Sequence, residues 1–268
     1  MNTVKKTNYR SIGQMLIKND FEAIHEEICR LIKTNEIENL LKPKDGSVFT
    51  ELDDILFALP DFAVKKEENN EIVENRRTGE LFPMVKEVVR LLLGLNANPN
   101  VLYDDAETAF LKACKMNSPE LLKTFLGHPE NSANINSQDG ENKNALYYAI
   151  MYDAEKNLRF LIDSCGLNPH EKNFLIYNQT PIYFACKFGA ENCFDVLMDK
   201  SVSLNIYDLN GQRPIDTMLL GYDKDTILNL EPTEKEKEFW GRFTQKVREK
   251  MDEQADANPS KKKYRTSF

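Results

Sequence analysis

The sequence lacks the marks of several large functional classes. No apolar run in its 268 residues reaches membrane-spanning length, and Met1–Arg10 has no apolar core of the signal-peptide kind. The expectation is a soluble, cytoplasmic protein with no membrane insertion. A basic excess is missing too: 43 acidic against 35 basic residues leave a formal net charge of -8. That excludes a general nucleic-acid binder, which needs a cationic footprint to displace counterions from phosphate. Glycine is sparse, and neither a phosphate-cradling Gly loop nor a G-x-S-x-G elbow is present.

Metal-type spacing is absent as well. Cys29, Cys114, Cys165, Cys186 and Cys193 are odd in number and form no C-x-x-C, and His25, His128 and His170 stand far apart. The cysteines read as reduced thiols packed as small hydrophobes. His25-Glu26-Glu27-Ile28-Cys29 comes within one residue of the H-E-x-x-H zinc motif, but Cys29 stands where the second imidazole is required. The segment reads instead as a polar helix edge beside Ile24, Ile28 and Leu31. No catalytic residue, metal or cofactor is expected.

What is present is repetition. Thr108-Ala109-Phe110-Leu111-Lys112-Ala113-Cys114, Asn144-Ala145-Leu146-Tyr147-Tyr148-Ala149-Ile150 and Thr180-Pro181-Ile182-Tyr183-Phe184-Ala185-Cys186 align on alanines spaced by 36 residues. The apolar pairs Phe125-Leu126, Leu161-Ile162 and Leu197-Met198 keep the same 36-residue period, and Arg213-Pro214-Ile215-Asp216 opens a further unit 33 residues after Thr180. Each unit reads as two short helices and a turn. Thr108, Asn144 and Thr180 are placed to cap the first helix, Pro181 and Pro214 fit its first turn, and Asp139-Gly140 and Asn210-Gly211 supply tight turns. Such a unit cannot bury its apolar stripe alone, so the units must stack.

The stretch Thr180–Gly189, with Val196-Leu197-Met198 and Leu204-Asn205, resembles the ankyrin repeat, and residues 103–174 resemble it less closely. The resemblance implies an all-α ankyrin-repeat solenoid of about five to six helix-pair units with capping helices at both ends. It divides into an N-terminal helical cap or degenerate repeat (1–49) and a divergent repeat (50–102) with a charged insertion near 64–79. Repeats at 103–137, 138–173 and 174–206 follow, then a C-terminal repeat and capping helix (207–254) and a basic tail (255–268) expected to be disordered. Glu234–Met251 is amphipathic, with Phe239, Phe243, Val247 and Met251 facing inward and Trp240 alongside. The family's usual histidine in the first helix is replaced by Leu111, Tyr147, Tyr183 and Asp216, so its hydrogen bonds are either lost or remade by tyrosine.

The resemblance also implies a groove lined by the ends of the first helices and by the turn tips. Two columns fall there: Met116, Tyr152 and Phe188, and beside them Lys115, Met151 and Lys187. Ile176 and Tyr177 occupy a turn tip, as do Asp104 and Asp105 two units earlier and Leu209 at the last tip. An apolar stripe flanked by lysines suits a protein partner, because exposed aromatic and Met side chains supply most interface energy. The reading is a monomeric, non-enzymatic interaction module. Its composition and acidic C-terminal region are similar to those of ankyrin-repeat effectors that intracellular bacteria deliver into host cytosol, which would make the partner a host protein. The rival reading is an enzyme or enzyme regulator acting through the irregular 34–82 region.

Overall fold

A computed structural model describes residues 8–18, 20–41, 50–62, 84–103, 106–173, 176–220 and 234–257. The charged insertion at 64–79, the turn residues Asp104 and Asp105, and the basic residues Lys261–Arg265 lie outside the described residues. The described residues form helices and no strand. In chain order these are α1 (Asn8–Ile17), α2 (Phe21–Lys33), α3 (Glu51–Phe62), α4 (Val85–Gly94), α5 (Ala109–Cys114) and α6 (Pro119–Leu126). They are followed by α7 (Ala145–Met151), α8 (Glu155–Asp163), α9 (Pro181–Phe188), α10 (Glu191–Asp199), α11 (Pro214–Leu220) and α12 (Glu234–Asp256).

The helices stack in two layers. The first helices of the pairs, α1, α3, α5, α7, α9 and α11, pack in succession, and α2, α4, α6, α8 and α10 form the second layer behind them. One apolar core runs the length of the stack. The alanines that set the sequence period, Ala113, Ala149 and Ala185, are all fully buried between the layers. Each lies where a larger side chain would hold neighbouring helices apart.

Helix starts follow local chemistry at several places. Thr50 and Asp53 cap each other reciprocally at α3: the Thr50 N–H donates to Asp53 Oδ2 at 2.7 Å and the Asp53 N–H to Thr50 Oγ1 at 3.2 Å. Asp20 Oδ1 accepts from the Ala23 N–H at α2, and Thr108 Oγ1 from the Leu111 N–H at α5. Asn144 Oδ1 accepts from the N–H groups of Leu146 and Tyr147 at α7. Thr180 departs from this pattern. Its hydroxyl is buried without a partner, because the Tyr183 N–H donates instead to the Thr180 carbonyl at 2.9 Å.

The second-layer helices α8 and α10 start at Ala154 and Ala190, which have no capping side chain. Their caps come from the repeat before. Asn117 Oδ1 accepts from the Lys156 N–H at 2.8 Å. Asp153 Oδ1 accepts from the Cys193 N–H at 2.9 Å, and its Oδ2 from the Asn192 amide group at 2.8 Å. Both capping acceptors, Asn117 and Asp153, sit in the left-handed region, at φ 48° and 52°, in the turn joining their own two helices. Asn and Asp tolerate that conformation better than bulkier residues do.

The third residue of this column is Gly189, also left-handed at φ 62°, and here the array ends differently. Trp240 of α12 sits 2.9 Å from where a Cβ on Gly189 would be, with Phe239 at 3.0 Å. From there α12 runs alongside α10. Phe243 packs edge-on against Phe194, Lys246 bonds Asp195 at 2.8 Å, and Gln254 bonds the Val202 carbonyl and the Leu204 N–H. Phe243 and Val247 are fully buried, Phe239 and Met251 partly so, and α12 occupies the place of one more second-layer helix.

Candidate interaction face

The first-layer helices and the hairpins that precede them share one face, built repeat by repeat. At the α3 end, the Tyr103 hydroxyl donates to Asp54 at 2.9 Å and its ring stacks on Phe57 with centroids 3.8 Å apart. The Lys112 ammonium lies 3.7 Å over the same Phe57 ring. One repeat on, Lys115 pairs with Glu107 at 2.7 Å and lies over the rings of Tyr148 and Tyr152. The Tyr148 hydroxyl donates to Asp139 Oδ2 at 2.9 Å. Asp139 Oδ1 in turn accepts from the Glu141 and Lys143 N–H groups and so fixes the hairpin. Burial, then the Glu107 and Asp139 carboxylates, push the Tyr148 phenol above the usual tyrosine range, so it stays a neutral donor.

In the next repeat the Tyr147 ring meets Phe184 at 4.5 Å and Phe188 at 5.7 Å, both edge-on, and Lys143 lies over its outer side. The hairpin before α11 repeats the Asp139 arrangement. Asp208 Oδ1 accepts from the Asn210 and Gln212 N–H groups, and Oδ2 from the Gln179 amide. The Leu209 N–H donates to the Tyr177 carbonyl at 2.9 Å, joining the two hairpins at their tips. Apolar groups stand open at those tips: Tyr177 is 54% exposed, Tyr207 67% and Leu209 68%.

The expected groove residues divide on this geometry. Tyr152, Phe188, Met151 and Ile176 are half-buried, Lys115 is held in its ion pair, and Lys187 and Tyr177 are exposed. Met116 is corrected: at 1% exposure it belongs to the core. The cause is helix length. α9 runs through Phe188, whereas α5 stops at Cys114, so Met116 lies beyond the helix end and turns inward. The reading from sequence missed Phe57, Tyr103, Lys112, Tyr148 and Tyr207. Lys112, Tyr148 and Phe184 share one repeat position, four residues after the capping residue, and that register could have found them.

The missing histidine is remade once. The Tyr183 hydroxyl reaches the carbonyls of Ile206 and Gln212, each at 2.9 Å, and ties α9 to the following hairpin. Burial, then the Asp208 carboxylate, push its phenol up as well.

No group of three His, Cys, Asp or Glu among the described residues is placed to hold a metal ion, and Cys29 Sγ lies 4.0 Å from the ring nitrogens of His25. Burial pushes the Cys114 and Cys186 thiols far above the usual range, away from the thiolate form that reacts. Among the described residues, no helix is long and apolar enough to cross a membrane.

Comparison with known proteins agrees with this architecture. A family model described as ankyrin repeats (3 copies) matches residues 83–173. Glycerophosphocholine phosphodiesterase GDE1 of Candida albicans is 28% identical over 126 residues, which is 47% of this chain and 11% of that protein. The matched stretch is thus a small part of the relative. Residues 83–173 are ankyrin repeats, and the two-layer helical stack that contains them is an all-α ankyrin solenoid.

Proposed function

We propose that the solenoid is a non-enzymatic interaction module that holds a protein segment along the first-helix and hairpin face. The observation that carries this reading is the joined pair of hairpin tips, where Tyr177, Tyr207 and Leu209 stand open. Open aromatic and aliphatic groups next to ordered charge pairs supply the apolar centre and polar rim of an interface. Lys115, Met151, Ile176 and Lys187 flank the contact, while Met116 supports it from the core. The phosphodiesterase activity in the relative's name is not carried over, because the similarity spans so little of that protein.

The same reading extends to a bacterial effector that engages a host protein in the host cytosol. The support is compositional: the polar, charged helix α12 and the segment beyond it. A reporter fusion that enters host cells equally well without residues 234–268 sinks this extension and leaves the interaction module untouched.

The test of the module uses Tyr177→Ser, Tyr207→Ser and Leu209→Ser together. These side chains project from the tips, so thermal melting should stay near that of the wild type while capture of partners from a eukaryotic lysate is lost. A folded triple variant that captures the same proteins as the wild type overturns the reading.

A further inference from the structure

The repeat that starts at Asn144 runs 36 residues to Thr180, whereas the repeat from Thr180 runs 33 to Arg213. One of the three extra residues falls between the end of α8 and Asn173, and two lie inside the hairpin that Asn173 and Gln179 close. The segment between α8 and Asn173 builds one wall of a cleft of about 510 Å³, with Asn168, His170, Glu171 and Lys172 on that side. Gln138, Asn142 and Asn144 form the opposite wall, and Tyr147, Pro181 and Phe184 the floor. The volume lies in the range of ligand-sized sites.

The floor presents a phenol hydroxyl that the described residues do not engage. Tyr147 is only 8% exposed, yet its hydroxyl has no hydrogen-bond partner among the described residues. Tyr183, its equivalent one repeat later, spends its hydroxyl on two backbone carbonyls of the following hairpin. At Tyr147 the longer loop opens the cleft instead. The ring is nearly buried, but the hydroxyl is not among the polar atoms sealed from solvent, so it opens into the cleft, where a ligand can take the place of water. Burial, then Glu141 and Asp139, keep the phenol protonated, so it can donate.

The walls define the chemistry. The side-chain amides of Gln138 and Asn142 and the Nδ2 of Asn168 have no partner among the described residues, and each amide group both donates and accepts or completes such a pair. Glu171 and Lys172 cancel in charge, and Asp139 and Glu141 lie near Tyr147, so an anion gains nothing. Tyr147 and Phe184 are covered, at 8% and 4% exposure, so no open ring face is offered for stacking on a sugar. We propose that this cleft recognises an uncharged amide group, the Asn or Gln side chain or adjoining peptide unit of a bound protein segment. The proposal rests on the reading of the solenoid as a protein-binding module and assigns part of its specificity to the cleft.

The experiment titrates the whole chain with N-acetyl-glutamine-N-methylamide and follows the side-chain amide signals of Gln138, Asn142 and Asn168 by 15N NMR. Saturable shifts are expected at these groups, with blocked leucine, blocked glutamate, glucose and inorganic phosphate all weaker. Tyr147→Phe removes only the hydroxyl and should melt like the wild type while binding the blocked glutamine roughly three- to tenfold more weakly, as expected for one lost hydrogen bond. Absence of saturable shifts, equal binding of any comparison compound, or unchanged affinity in Tyr147→Phe overturns the proposal. A large loss of stability in Tyr147→Phe does so as well, since it means that the hydroxyl is already bonded inside the fold. None of these outcomes touches the tip variants, whose partner capture stands or falls on its own.

Discussion

Asp153 reaches forward by one repeat to accept the backbone N–H of Cys193 at 2.9 Å, doing for α10 what the residue at the helix start, Ala190, cannot do. This fully folded-in carboxylate also takes the Asn192 side chain. Asp153→Ala should therefore cost about 1–3 kcal/mol, the sum expected for a lost cap and for donors left without a partner. Chemical denaturation of the variant measures it, and a change within about 0.5 kcal/mol, the size of an ordinary surface substitution, means that water caps α10 equally well.

Gly189 carries two constraints that can be separated. A side chain there meets the left-handed backbone, worth about 1–2 kcal/mol, and also the Trp240 ring. Gly189→Ala should lower stability more in the wild type than in a Trp240→Ala background, where the backbone part and the Phe239 contact remain. A double-mutant cycle with no coupling energy would show that α12 yields freely at this point.

Tyr183 and Tyr147 occupy one repeat position and should answer the same substitution differently. Tyr183→Phe leaves the Ile206 carbonyl without this donor and the Gln212 carbonyl with the Asp208 N–H alone, and should destabilise by about 1–3 kcal/mol. Hydrogen exchange should also quicken at Asp208 and Gly211, whose N–H groups hold the hairpin that Tyr183 ties down. Equal melting of Tyr183→Phe and the wild type would contradict the tie.

The α12 cap should loosen at alkaline pH. Burial pulls the Lys246 ammonium down, but hydrogen bonds to Asp195 and Glu191 outweigh this and raise it above the usual lysine value. A folded-state value above the unfolded one gives stability that is complete below about pH 10.5 and fades as pH rises through the raised value. The difference in melting temperature between the wild type and Lys246→Met should thus be flat from neutral pH to about 10 and shrink above it. A difference that shrinks toward acid instead would assign the effect to the carboxylates.

Much of this architecture was legible because a repeat states each requirement several times. Ala113, Ala149 and Ala185 mark the same close approach between layers, and Phe243 and Val247 show their inward face by spacing alone. Met116 was not legible, since its fate depends on where α5 stops, and that is set by tertiary contacts rather than by its own turn. Tyr183 could be flagged as a histidine replacement, but its partners lie 23 and 29 residues ahead. The Asn117, Asp153, Gly189 column keeps the same 36-residue period as the alanines. Its meaning needed the backbone angles, because a left-handed turn in Asn or Asp leaves little trace in composition.

That column gives the stack a direction. Each second-layer helix from α8 onward borrows its cap from the repeat behind it, so information about where a helix begins passes from the N-terminal side to the C-terminal side and not back. Trimming the chain from its C-terminal end removes a recipient and leaves these N-terminal caps of the remaining helices in place. Trimming from the N-terminal end removes a donor and frays the next helix. In a structure whose neighbours otherwise contact one another symmetrically, this makes the two ends unequal: shortened forms that begin after Asp153 should lose helix at α10, while forms that stop before α10 should keep α8 intact.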